Sequence, residues 1–184
     1  MEVKVNSNFK KALRDIGNVP RKYVQKALVT SLNKIGAEVF TQAQRELKDA
    51  TGLKVGVVAK GLKKDKARRN DKTYTIKIKS RYKNVIEFGA RQTKKGVSAK
   101  VWGKRKVYRG TFIGSGRNSG KQLVFKKRKN APKRIEALHG ASLLREFERQ
   151  DMAKLFNKKI KTRFPILFKR ALDFHLMKAQ SRLR

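Results

Sequence analysis

The chain has 184 residues, 39% of them hydrophobic, and its 50 Lys and Arg against 13 Asp and Glu give a net charge of +37. That length suits one domain able to bury about 70% of the surface its unfolded chain exposes. The absence of cysteine excludes disulfides, thiolate nucleophiles and Cys-based metal sites.

Met1 is followed by no secretory apolar run, and no segment is apolar enough over enough length to span a membrane. A chain that stays in, or is assembled from, the cytosol is expected. Pro20 suits the first turn of a helix, where a missing N–H leaves no bond unmade. From there Val24, Leu28, Leu32, Ile35, Val39 and Ala43 recur at three- and four-residue spacing between Lys, Gln, Asn and Arg, which predicts an amphipathic helix. Thr51-Gly52 supplies its stop. Leu53 to Leu62 reads as a short second helix, weakened at Gly56 and Gly61 by about 1 kcal/mol each relative to Ala. Lys63 to Asp71 reads as a mobile basic loop.

The period then changes to two. Tyr74, Ile76 and Ile78 alternate with Thr75, Lys77 and Lys79, which predicts a strand with one buried face. Val85 to Phe88, Val97 to Trp102, Lys106 to Tyr108, Thr111 to Ile113 and Leu123 to Phe125 read as further short strands. From Ser142 the helical period returns through Leu144, Phe147, Met152, Leu155, Phe156 and Ile160. It continues with Leu167, Phe168, Leu172 and Leu176 beyond Pro165, which starts a final helix or kinks a continuous one. The expected architecture is α+β, an antiparallel sheet packed by amphipathic helices from both chain ends. It forms one domain over 1–184, helical at 8–62 and 141–181 and β-rich at 73–128.

The basic residues cluster at Lys60 to Arg69, Lys94-Lys95, Lys104 to Lys106, Lys126 to Lys129 and Lys158 to Arg163. Each cluster alone reads as a solvated face. Together, with few acids to offset them, they call for an acidic partner or nucleic acid.

Enzymatic chemistry finds no support in residue spacing. His139 and His175 lie in different elements, one in a loop and one at the edge of the apolar stripe, and neither has the i, i+4 partner of a helical metal site. Gly114 to Gln122 only superficially resembles a phosphate-binding loop, because Ser115 stands where the first Gly is needed and Gln122 replaces the metal-binding Ser or Thr. A flexible hairpin tip accounts for it. Asp49, Asp71, Glu87 and Asp151 fall in separate elements, whereas a metal-dependent nuclease needs clustered carboxylates. No catalytic residue, metal ligand or cofactor is expected.

Nonspecific DNA binding is the alternative function. Tyr74, Tyr82, Phe88, Trp102, Tyr108 and Phe112 lie amid Lys and Arg as stacking platforms would, although strand aromatics at alternate positions are more often core. Without any base-reading motif, such binding would rest on phosphate charge and be salt-sensitive.

A run of motifs favours a structural role. Phe88 leads into Gly89-Ala90-Arg91-Gln92-Thr93-Lys94-Lys95-Gly96-Val97-Ser98; a basic turn at Lys104-Arg105-Lys106, Gly110-Thr111-Phe112-Ile113-Gly114 and Leu123-Val124-Phe125-Lys126-Lys127-Arg128 follow in order. The order resembles the minor tail protein Z family of long-tailed bacteriophages and prophages, the tail completion proteins. Where that family carries a Pro-Ile-Glu-x-Leu-x-Gly-Pro-Ser run, Arg134 and Ala141 replace the prolines, which suggests a less rigid loop from Arg134 to Ser142.

The resemblance implies a virion protein at the head-proximal end of a long tail, in a six-membered ring stacked between the tail terminator and the head-completion proteins. It implies that the protein makes the tail competent to join the head, with genomic DNA passing through the channel. The basic segment from Thr93 to Lys106, bent at Gly96 and Gly103, is the candidate interface through Arg91, Lys94, Lys95, Lys104, Arg105 and Lys106. The alternative for this segment is an ordinary solvated hairpin.

Overall fold

Apolar residues at helical spacing drive helix α1 (Arg21–Thr51), which buries Val24, Leu28, Leu32, Ile35, Val39, Ala43 and Leu47 and ends where expected. The computed structural model describes residues 2–5, 19–79, 81–116, 120–128 and 130–181, so the part of the expected N-terminal helical region at 8–18 lies outside the described residues. The fold is α+β. Its elements fall into two compact units, one of Ala43–Leu62 with Ile78–Gln150 and the other of Glu2–Gln42, Lys63–Lys77 and Asp151–Arg184.

The helical unit combines the first part of α1 with helix α4 (Met152–Gln180) and most of a three-stranded sheet. That sheet has strand β3 (Tyr74–Ile78) at its centre, between β1 (Glu2–Val5) and β2 (Leu62–Asp65). Strand β1 is antiparallel to β3, with Val3 opposite Ile76. Tyr74, Ile76 and Ile78 are buried as their alternation predicts, but Thr75 is buried as well, so the expected single buried face is not kept; Lys77 reaches Asp65 at 2.8 Å across the sheet. Gly36 lets α1 lie directly on Tyr74, because a Cβ at that position would land on the Tyr74 ring.

The expected loop from Lys63 to Asp71 is corrected in its first three residues, which belong to strand β2. Its path is fixed by Asn33, whose side chain donates to Ala67 O at 3.0 Å and accepts from Ala67 N at 2.9 Å. Helices α1 and α4 meet through Arg163 and Glu38 at 3.2 Å and through Thr30 and His175 at 3.2 Å. Burial first, then Lys26 and Lys178, push the His175 pKa down.

Pro165 neither starts nor breaks α4. It lies inside the continuous helix and is exposed, as is Lys161, whose carbonyl loses its helical donor. The break in the C-terminal helical region lies earlier, at Gln150-Asp151, where Asp151 takes φ +46. It separates α4 from the short helix α3 (Leu143–Arg149), whose Leu143 and Phe147 are buried in the β-rich unit. Buried aromatic and aliphatic side chains of this size stabilise a fold by about 1.5–3 kcal/mol each. In α4 they are Met152, Phe156, Ile160, Phe164, Leu167 and Phe168.

The β-rich unit holds the end of α1, helix α2 (Val55–Gly61) and the remaining strands. In it the expected sheet divides into three small antiparallel sheets. Strands β5 (Arg91–Thr93), β6 (Gly96–Val101) and β7 (Lys104–Arg109) form one, in that order. Strands β8 (Thr111–Ser115), β9 (Gln122–Arg128) and β10 (Ala131–Ala137) form the second, with β9 central. Strand β4 (Tyr82–Asn84) pairs with β11 (His139–Ser142).

Two expectations fail here for local reasons. Val85 to Phe88 is a 3₁₀ turn, not a strand, because Asn84 Oδ1 accepts from Ile86 N at 3.0 Å and caps it. The same Asn84 is tied to β9, accepting from Val124 N at 2.9 Å and donating to Val124 O at 3.2 Å. The run from Arg134 to Ser142 is two strands where a loop was expected. Leu138 N bonds Val124 O at 2.8 Å and Leu138 O accepts from Val85 N at 3.0 Å, so the backbone is held on both sides. Gly140 lies against the Phe88 ring, and Ala141 and Ser142 are buried. His139 is exposed on β11, not in a loop.

Candidate functional site

The six candidate interface residues all lie on the β5-β6-β7 sheet or its turns, and all are exposed. Register divides them. Directly opposed residues of an antiparallel pair share a face. Lys104 stands opposite Val101 and Lys106 opposite Ala99, which puts both lysines on the face where Val97, Ala99 and Val101 are buried. Arg105 stands opposite Lys100, and Arg91 opposite Ser98, on the other face. Lys94 and Lys95 form the two-residue turn between β5 and β6, closed by Thr93 Oγ1 donating to Gly96 O at 2.7 Å.

The expected basic turn at Lys104 to Lys106 is strand. The turn itself is Trp102-Gly103, with φ values of +53 and +73. Positive φ at both central residues marks a type I′ turn, whose twist matches the strands it joins. Gly adopts it freely, whereas Trp102 is strained and is held in place from two sides. Its backbone N donates to Thr51 O at 2.9 Å at the end of α1. Its indole Nε1 donates to Glu146 Oε1 at 3.0 Å on α3. Glu146 is only 6% exposed, and its second oxygen meets Arg149 at 2.8 Å. Trp102→Phe keeps the strain and removes a hydrogen bond to a charged acceptor. We expect it to lower stability by about 1.5 kcal/mol, read as an earlier thermal melting transition of the full-length protein. An unchanged melting temperature would mean that the indole bond contributes nothing.

Around the turn the surface is cationic. Lys106 Nζ lies 5.0 Å from the Tyr108 ring centroid and 6.0 Å from that of Trp102. Arg105 donates to Ser98 Oγ at 3.3 Å and lies against Gly89 O at 3.4 Å. Lys100, Val107 and Arg109 complete the Arg105 face, and residue reading missed all three. The signal for them was present: an X-Gly pair at Trp102-Gly103 between two alternating runs marks a hairpin and fixes its register. A second signal is stronger still. No Asp or Glu lies between Glu87 and Glu136, while sixteen Lys and Arg do. Glu136 then serves two cations, Lys126 at 3.1 Å and Arg128 at 3.2 Å, with Lys126 chiefly holding its pKa below the ordinary carboxylate range.

The aromatic residues divide as well. Tyr74 and Phe88 are core, Tyr108 and Phe112 are half-buried, and Phe112 packs on Phe125 at 5.9 Å. Of the six aromatic residues considered as stacking platforms, Tyr82 and Trp102 are the exposed ones, at 46% and 45%. Gly114 and Ser115 end β8 and Gln122 begins β9; between them Gly116 N bonds Lys121 O at 2.8 Å, and positions 117–119 lie outside the described residues. Arg81, Tyr82, His139 and Gly140 line an open depression of about 600 Å³. Among the described residues no three His, Asp or Glu side chains are grouped to hold a metal ion, and no helix is long and apolar enough to cross a membrane.

The β5-β6-β7 sheet thus presents exposed cations around a buried apolar strand, β6. The family model described as prophage minor tail protein Z (GPZ) matches residues 8–182, and the chain belongs to that family of phage minor tail proteins. No curated protein and no solved structure was found to match. A phage minor tail protein is a component of the virion tail.

Proposed function

We propose that this minor tail protein is the tail completion protein, forming a six-membered ring at the head-proximal end of the tail that makes it competent to join the head. Its enclosing partners are the tail terminator and the head-completion proteins. The supporting observation is the acid-free basic sheet: copies carrying +37 each repel one another, and a ring of them closes only where acidic neighbours, counterions or channel DNA neutralise the charge. Its function is interface formation, not catalysis.

Phage lacking the protein should make tails of normal length that do not give stable infectious particles. Electron microscopy of the mutant lysate reads this directly. Tails that stop short or grow without limit would replace the proposal with a terminator or tape-measure role. Tails that join heads normally would exclude completion altogether. Protein found on packaged DNA but absent from the tail end would favour nonspecific DNA binding.

A further inference from the structure

Strand β7 closes one side of the β5-β6-β7 sheet, and among the described residues no strand pairs with its outer edge. The Trp102-Gly103 turn determines what that edge presents. A two-residue turn makes Val101 and Lys104 a hydrogen-bonded pair, so Lys104, Lys106 and Tyr108 direct their backbone groups toward β6. In agreement, Tyr108 O accepts from Thr111 Oγ1 at 2.6 Å, and the same hydroxyl accepts from Val97 N of β6 at 3.1 Å. The alternate residues Arg105, Val107 and Arg109 therefore direct N–H and C=O outward, and all three are exposed.

An open edge of this kind pairs readily with a second copy of itself unless charge opposes it. Here charge opposes it. Arg105 and Arg109 flank Val107 on one face, and Lys104 and Lys106 occupy the other. Two such edges brought together would set cation against cation, with no carboxylate in the surrounding sequence to intervene. An extended segment bearing Asp and Glu would instead gain the backbone ladder and oppositely charged side-chain pairs together. We infer that the β7 edge receives an extended, acidic β-strand from another protein, which adds to the sheet beside Arg105, Val107 and Arg109. This deepens the tail-completion proposal and rests on its acidic neighbours.

The test uses Val107→Pro in the full-length protein. Proline removes an outward N–H and blocks strand addition, leaves the charge unchanged, and is tolerated on an edge whose N–H faces solvent. Wild-type and variant proteins are compared in melting, in salt-dependent binding to duplex DNA, and in restoring infectivity to tails purified from phage lacking the protein. We expect equal melting and equal DNA binding, with about tenfold more variant needed for restoration. In intact tails the Arg105, Val107 and Arg109 amides should exchange more slowly than in the free protein.

Restoration equal to wild type, or amides that exchange equally fast in intact tails, overturns the inference. DNA binding weakened by Val107→Pro also overturns it, assigning the edge to phosphate. Should the proline variant fail to fold, the exchange measurement on wild-type tails decides. Wild-type protein that restores nothing defeats the tail-completion proposal instead, and exchange in native tails still decides whether the edge is occupied.

Discussion

Gly36→Ala should destabilise the protein by about 2 kcal/mol net, since overpacking a filled core costs up to about 3 kcal/mol. The added methyl would land on the Tyr74 ring, and Tyr74 is 1% exposed, with no solvent into which it can retreat. Alanine opposes this by favouring the helix by about 1 kcal/mol over glycine, so overpacking wins. Denaturant unfolding of the single and double variants separates the two effects. In a Tyr74→Ala background the obstacle is gone, and Gly36→Ala should be neutral or slightly stabilising. A penalty that persists there would show that α1 does not press on Tyr74.

Neutralising Arg91, Lys94, Lys95, Lys104 and Arg105 together should leave the fold intact and strongly reduce assembly into infectious particles. Stability of the isolated protein should even rise by a few tenths of a kcal/mol, because Arg105 stands directly opposite Lys100 and like charges so placed repel. Raised salt should reproduce the assembly defect in the wild-type protein, since both treatments remove the same screened attraction. Register sharpens the expectation: an Arg91→Gln/Arg105→Gln pair should lose more than a Lys104→Gln/Lys106→Gln pair, which alters the opposite face. Normal titres from the five-fold variant at low salt would remove this sheet from the assembly contacts.

Where one physical cause dominates, the fold is legible from residues alone. The α1 stripe reads correctly because burial alone dictates it, and the Tyr74-Ile76-Ile78 alternation holds except at Thr75, which is buried too. Reading failed where a single side chain redirected the backbone. Asn84 turns an apolar run that looks like a strand into a capped 3₁₀ turn. Asn33 holds Ala67, and with it the end of a segment rich in lysine, against α1. Such bonds join residues far apart in sequence, and no periodicity carries them. Pro165 lies exposed inside the continuous helix α4, as one of its two readings allowed.

The candidate site was legible as composition but not as geometry. Charge marked Arg91, Lys94, Lys95, Lys104, Arg105 and Lys106 as one patch, yet charge carries no register. The Lys94-Lys95 turn sets Arg91 and the Trp102-Gly103 turn sets β7, and together they put Arg91 and Arg105 on one face and Lys104 and Lys106 on the other.

Trp102 is the only tryptophan in the chain, and it sits half in water at the tip of this hairpin. The protein thus carries its own optical reporter at the surface proposed for assembly. A neighbour that covers the indole will shift its emission to shorter wavelength, and a cation moved away from the ring will change its intensity. Joining can therefore be timed by mixing unlabelled wild-type protein with tryptophan-free partner segments. No dye is attached, and no residue of the basic sheet is altered.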